Sequence, residues 1–137
     1  MSEHSFPVRV YYEDTDFSGN VYHAAYLKFF ERGRTEWLRE AGIHHSELAQ
    51  QGIAFAVRAM DIQFDAAAHI DDLLVVKTAV ASVKGARLML TQHILRGETV
   101  LTRANVTVVA IKTSGGPARM PAEILARFGG GSNALPQ

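Results

Sequence analysis

The sequence predicts an α+β fold in which one long helix is wrapped by a curved antiparallel sheet of about five strands. Three observations predict it. A single segment, His23 to Ala41, carries apolar residues at helical spacing. The segments on either side of it alternate with a period of two or are rich in β-branched residues. The later strand-like segments follow one another across short turn signals, the pattern of an antiparallel meander. A lone helix beside so much sheet has one way to bury its apolar stripe, which is against a sheet face.

Phe6 to Tyr12 alternates around Val8, Val10 and Tyr12 and reads as the first strand. Glu13 to Asn20 is polar, ends in Gly-Asn and reads as a loop. In the long helix, Leu27, Phe30, Arg34, Trp37, Leu38 and Ala41 recur at helical spacing; their apolar members form the predicted buried stripe, and Gly42 ends the helix. A short helix over Ser46 to Gln51 is stopped by Gly52. Ile53 to Phe64, Leu73 to Val83, Leu88 to Leu95 and Thr99 to Ile111 are the remaining strands, with turns at Lys84-Gly85-Ala86 and Gly97-Glu98. Pro121 to Phe128 reads as a short closing helix. Residues 1–128 are expected to form one domain, and the Gly-rich 129–137 a flexible tail.

Composition limits the function. The chain has 137 residues, 47% of them hydrophobic, enough for one buried core. Lys+Arg and Asp+Glu balance at 14 each, so no overall field draws the protein to nucleic acid or an anionic membrane. With no cysteine, disulfides, thiolate metal sites and a Cys nucleophile are excluded. The N-terminus lacks a signal-peptide pattern and no apolar run is long enough to span a bilayer, so a cytoplasmic protein without a membrane span is expected. The pair His44-His45 has no third ligand at metal-like spacing, and no metal or cofactor is expected. Phe29, Phe30 and Trp37 are expected in the core, and Asp71-Asp72 as a polar turn before a strand.

Chemistry concentrates between Tyr12 and Tyr26, where Glu13, Asp14, Asp16 and His23 surround the junction of loop and long helix. A helix start presents unpaired N–H groups and partial positive charge, which suits a developing oxyanion. A carboxylate beside it can act as base or nucleophile on a carbonyl carbon. Acidic residues before a helix also serve simply as caps, and spacing alone leaves both readings open.

Tyr12-Glu13-Asp14-Thr15-Asp16, then Gly19, Val21-Tyr22-His23 and Tyr26, followed by Phe29 through Glu36, resembles the signature of the 4-hydroxybenzoyl-CoA thioesterase family. Within it, the pattern is most like the branch of small bacterial acyl-CoA thioesterases associated with the Tol-Pal system. The resemblance is strong over residues 6–42 and looser but collinear to about residue 128. It implies a hotdog fold, an acyl-CoA substrate, and a homodimer with active sites at the subunit interface, often paired into a homotetramer.

By the same resemblance, Asp16 matches the catalytic carboxylate and the His23 N–H the donor to the thioester carbonyl. The His23 side chain matches a histidine near the acyl group, Tyr12 a tyrosine lining the site, and Gly19 a tight turn beside the substrate. Tyr22, Tyr26 and Phe17 are expected to shape the acyl pocket; Phe17 departs from the smaller residue or proline that many relatives have after the Asp. Val57 and Arg58 fall in the strand expected to line the pantetheine channel, and Lys84 and Arg87 flank a turn where the family places basic residues for the nucleotide. A solvated turn and a surface arginine are the plainer reading of those basic residues. A non-catalytic acyl-CoA sensor and a hotdog enoyl-CoA hydratase are the competing functions.

Overall fold

The computed structural model describes residues 3–129. Strand β1 (His4–Arg9) leads through a short 3-10 turn (Tyr12–Asp14) and a loop into helix α1 (His23–Glu40). Helix α2 (His45–Gln50) follows, then strands β2 (Ile53–Phe64), β3 (Leu73–Lys84), β4 (Arg87–Arg96) and β5 (Thr99–Lys112). The described residues end with α3 (Ala122–Ile124), which runs on into a wide helical turn, Leu125–Gly129. The five strands form one sheet in the order β1-β3-β4-β5-β2, and every neighbouring pair is antiparallel. This is the hotdog arrangement, with α1 lying against the sheet.

The strands fall where the period-two pattern puts them, to within a residue or two, except the first. β1 ends at Arg9, not Tyr12. Val10 still exchanges backbone bonds, but with the 71–72 turn, and Tyr11 is drawn aside by its bond to the Asp14 carboxylate at 2.8 Å. The buried stripe of α1 also differs from expectation. Leu27 is 45% exposed, and the inward residues are Tyr26, Phe29, Phe30, Gly33, Trp37 and Leu38. The helix is rotated so that its bulky aromatic residues face the sheet. Gly129, expected in the tail, is buried in the final turn; residues 130–137 of that expected tail lie outside the described residues.

Phe29 and Phe30 are fully buried against the Leu and Val residues of β3, β4 and β5. Two features fix the depth and rotation of the helix. Gln92, buried on β4, donates to the Phe30 carbonyl at 3.0 Å and to the Thr78 hydroxyl at 2.9 Å, and accepts from Arg34 at 3.1 Å. A buried amide is tolerated when its donors and acceptor are all used, as here. At Gly33 the helix backbone lies so close to the sheet that an added Cβ would stand 2.6 Å from Val76 Cγ1.

Gly33→Ala therefore sets a helix-propensity gain of about 1 kcal/mol against an overpacking cost of about 1–3 kcal/mol. The Val76 side chain is β-branched and stiff, so the clash wins. Urea denaturation should show Gly33→Ala to be less stable by about 1–2 kcal/mol, with Val76→Ala in the same chain recovering part of the loss. A Gly33→Ala protein as stable as the parent would mean the helix is not held at this depth.

Candidate active site

The loop before α1 is shaped by its own backbone. Thr15 and Val21 form an antiparallel bridge, the Asp16 N–H donates to the Asn20 carbonyl at 2.9 Å, and the Gly19 N–H donates to the Asp16 carbonyl at 3.1 Å. Gly19 sits at φ +85°, a conformation that glycine adopts without a Cβ penalty. This small closed loop holds Asp16 at its shoulder. One carboxylate oxygen of Asp16, Oδ1, accepts from both the N–H and the hydroxyl of Ser18. Oδ2 takes no hydrogen bond among the described residues. The Ser18 hydroxyl first, and its N–H second, hold the Asp16 carboxyl below the ordinary carboxylate range, so the group is ionised at neutral pH.

The neighbouring acids are used differently. Asp14 is buried; its carboxylate accepts from the Tyr11 N–H at 2.8 Å and its carbonyl from the Tyr22 N–H at 2.9 Å. It caps the short turn at Tyr12–Asp14 and not α1, so the plain reading of an acid capping the long helix does not hold for it. Glu13 is exposed. Of the three, Asp16 alone lines the cleft at the start of α1, and Glu13 lies in a separate shallow depression.

Helix α1 begins at His23, and no side chain caps it. The Ala25 N–H donates to the Tyr22 carbonyl at 2.8 Å, and the N–H groups of His23 and Ala24 precede the helix's own i to i−4 bonding. The start of the helix and Asp16 line one open cleft of about 490 Å³, with Tyr22 and Tyr26 beside them and Phe64 to Ala67 as the opposite wall. The Tyr22 and His23 rings lie 4.5 Å apart at the mouth. Tyr26 is buried; its hydroxyl accepts from the Ala68 N–H at 3.0 Å and its ring meets the edge of Phe64 at 5.5 Å. A second carboxylate, Asp65, stands on the far wall, held ionised chiefly by a 2.7 Å bond from Arg103.

The other residues singled out from the sequence fall elsewhere in the chain. Tyr12 is 85% exposed and belongs to a separate shallow depression with Arg9, Tyr11 and Asp71, not to the Asp16 cleft. Phe17 points fully into solvent. Val57 lines a smaller, more enclosed cavity of about 130 Å³ beneath the middle of α1, with Arg34, Trp37 and Phe55. Arg58 is exposed at a register shift of β2, between Val57 and Ala59. Lys84 and Arg87 are exposed partners at the β3–β4 turn. Through the ladder Arg87–Val109–Ala56, this turn lies level with Ala56, toward the start of β2, and Arg58 stands two residues further along. Asp16 faces the opposite end of β2, at Phe64, and ~3.3 Å per residue puts the two ends roughly 25 Å apart. One chain alone thus does not bring the basic residues to the carboxylate.

Sequence reasoning missed Ser18 and Asp65. Asp-x-Ser is a turn pattern in which the acid accepts from the residue two positions on, so Ser18 was findable. Asp65 reaches the cleft only through the sheet register and left no local signal. His45, of the discounted His44-His45 pair, lies 3.4 Å from the Thr35 hydroxyl and edge-on to Phe55. Among the described residues no group of three or more His, Cys, Asp or Glu side chains is placed to hold a metal ion, and no helix is long and apolar enough to cross a membrane.

A hotdog sheet, an ionised carboxylate and a bare helix start in one cleft define a protein of the thioester-hydrolysing class. Residues 10–128 match the family described as the Thioesterase-like superfamily, and the chain belongs to it. It is 46% identical over 126 residues to an acyl-CoA thioesterase, YbgC, of Haemophilus influenzae, covering 90% of this chain and 93% of that protein. An acyl-CoA thioester hydrolase YbgC of Escherichia coli is 43% identical over 125 residues, with the same coverage of 90% and 93%. The crystal structure of a probable thioesterase from Bartonella henselae superimposes with a TM-score of 0.84 at 47% identity, covering 88% of this chain and all of that one.

Because the Asp16 pKa is depressed, its carboxylate persists on acidification and is lost only as pH falls through that lowered value. Ser18→Ala removes the strongest stabilising bond and should raise the carboxyl pKa. In an NMR titration of the Asp16 side chain the transition should move to higher pH, and an unmoved transition would show that Ser18 does not hold the group.

Proposed function

We propose that the protein hydrolyses the thioester of an acyl-CoA to the free acid and coenzyme A in the Asp16 cleft. The observation that carries this reading is the free Oδ2 of an ionised Asp16 beside an uncapped helix start. The thioester carbonyl oxygen docks at the His23 N–H, where the helix end stabilises the negative charge that grows on it. A thioester needs little more. Its carbonyl carbon is more electrophilic than an amide's, and the thiolate departs without a strong acid.

Two routes share this geometry. Oδ2 attacks the carbonyl carbon, the C–S bond breaks to release the CoA thiolate, and water hydrolyses the resulting anhydride. Alternatively Oδ2 takes a proton from a water that attacks the same carbon, and the thiolate leaves carrying the electron pair of the C–S bond. The His23 side chain and Tyr22 lie at the mouth, where they contact the acyl group, and Tyr26 backs the cleft. Gly19 keeps the loop tight beside the substrate. Acyl-CoA hydrolysis by the similar YbgC proteins supports the substrate class.

The reading also takes in a second copy. β2 is an outer strand of 12 residues with no strand paired on its outer edge among the described residues, and such an edge is a template for pairing with another chain. Antiparallel pairing of two β2 edges sets the basic end of one chain, with Arg58, Lys84 and Arg87, beside the Asp16 cleft of the other. The nucleotide phosphates then lie against one copy's basic residues while the thioester lies in the other's cleft, with Val57 along the pantetheine arm. Tyr12 joins the site only if the second copy covers its exposed ring.

Asp16→Asn should lower thiol release from acyl-CoA by at least about a hundredfold while circular dichroism and melting stay those of the parent, because Asp16 is exposed. Full turnover in that variant removes Asp16 from the mechanism. Lys84→Ala with Arg87→Ala should raise KM for acyl-CoA by about tenfold, as for the loss of charged phosphate contacts, yet leave KM for the matching acyl-pantetheine unchanged. Equal effects on both substrates would take the nucleotide away from this turn.

A further inference from the structure

The catalytic loop is not self-supporting. Beyond its internal bonds, residues 19–21 lean on the connector between β2 and β3. The Val21 N–H donates to the Ala68 carbonyl at 2.8 Å, the Ile70 N–H donates to the Gly19 carbonyl at 3.0 Å, and Asn20 bridges His69. The same connector grips the helix: the Ala68 N–H donates to the Tyr26 hydroxyl. Ala66 and Ala67 form part of the cleft wall opposite Asp16. Where residues 66–70 go, the loop carrying Asp16 and the start of α1 go with them.

That connector is in turn held from outside the cleft. Arg96, near the end of β4, uses a single nitrogen, Nη1, to donate to Asp72 Oδ2 at 2.7 Å and to the Ala67 carbonyl at 3.2 Å. Asp72 Oδ2 also accepts from the His69 N–H at 2.9 Å. One ion pair therefore ties the two ends of the stretch 67–72 together and fixes it to the sheet. Between those ends Asp71 sits at φ +71°, the one positive-φ residue other than glycine among the described residues. Such a conformation persists only where its surroundings over-determine it. Here Asp71 is held by its N–H to the Val10 carbonyl at 3.1 Å and by Arg9 Nη1 to its own carbonyl at 2.8 Å. Burial alone would push the Asp72 carboxyl up, but the His69 N–H and Arg96 outweigh it and hold the group ionised below the ordinary range.

We propose that the Asp72–Arg96 ion pair is a positioning device for catalysis, setting the register of the connector 66–72 and, through it, the placement of Asp16 against the start of α1. Neither residue lines the cleft, so the pair acts through others. It rests on the reading of Asp16 as the reacting carboxylate. Its loss shifts the loop by a fraction of its own width, and misplacement on the scale of 1 Å is enough to slow a reaction by orders of magnitude.

The test compares Arg96→Gln, Arg96→Lys and Asp72→Asn with the parent, measuring kcat, KM and amide hydrogen exchange at Val21 and Ile70 well below the melting temperature. Arg96→Gln and Asp72→Asn should lower kcat tenfold or more with KM nearly unchanged, and should speed exchange at both amides. Arg96→Lys should restore most of kcat, because both bonds come from one nitrogen that an ammonium can replace. Should Arg96→Gln fail to fold, Asp72→Asn carries the test, since its amide oxygen can still accept from His69. Faster exchange with unchanged kcat overturns the proposal, as does unchanged exchange, or a loss of kcat that Arg96→Lys does not restore. A fully active Asp16→Asn protein would instead sink the assignment of Asp16, whatever the exchange rates show.

Discussion

An α-helix begins with N–H groups that its own backbone cannot satisfy. At most helix starts a Ser, Thr, Asp or Asn side chain takes one of them. At His23 none does, although three acidic residues lie within ten positions upstream. Asp14 turns back to cap the short turn at Tyr11, and Asp16 is held by Ser18 with one oxygen left open. A negative group and a bare positive helix end thus share a cleft without neutralising each other. In the proposed reaction that arrangement serves a substrate whose carbonyl carbon is attacked while its oxygen gains charge.

The fold maintains this arrangement from two directions. Beneath the helix, Gly33 against Val76 and the fully bonded Gln92 set how deep α1 lies and how it is turned. The helix start is therefore fixed by packing some ten residues away. Above it, the connector 66–72 ties the loop, the Tyr26 hydroxyl and the end of β4 together by backbone bonds and one ion pair. The sheet holds the carboxylate and the turn at Lys84 and Arg87 far apart within one chain, and the proposed pairing of two β2 edges is what would bring them together.

Much of the fold was legible because its elements obey their own periods. β2 to β5 are long and rich in β-branched residues, β3, β4 and β5 are separated by turns at Gly85 and Gly97, and α1 is the one long segment with helical spacing. The misplacements have local causes. β1 stops early because Asp14 captures the Tyr11 N–H. The stripe of α1 is turned from Leu27 toward Tyr26 and Phe29 because the close approach of Gly33 to Val76 and the bond from Gln92 to the Phe30 carbonyl set the rotation of the helix. The site was legible as a segment, residues 12–26, and the pairing of Asp16 with the helix start rests on neighbours close in sequence. Asp65, the connector and the Asp72–Arg96 pair were not legible, since strand register alone brings them near the cleft. Asp71-Asp72 reads as an ordinary polar turn, and only Arg96, 24 positions on, gives it further meaning.

The most direct measurement is a crystal structure with a non-hydrolysable acyl-CoA analogue in which a methylene replaces the thioester sulfur and the carbonyl is kept. The account predicts the carbonyl oxygen about 3 Å from the backbone nitrogen of His23, with Asp16 Oδ2 facing the carbonyl carbon directly or through one water. A carbonyl bound away from the helix start, with Asp16 turned to solvent, would contradict it.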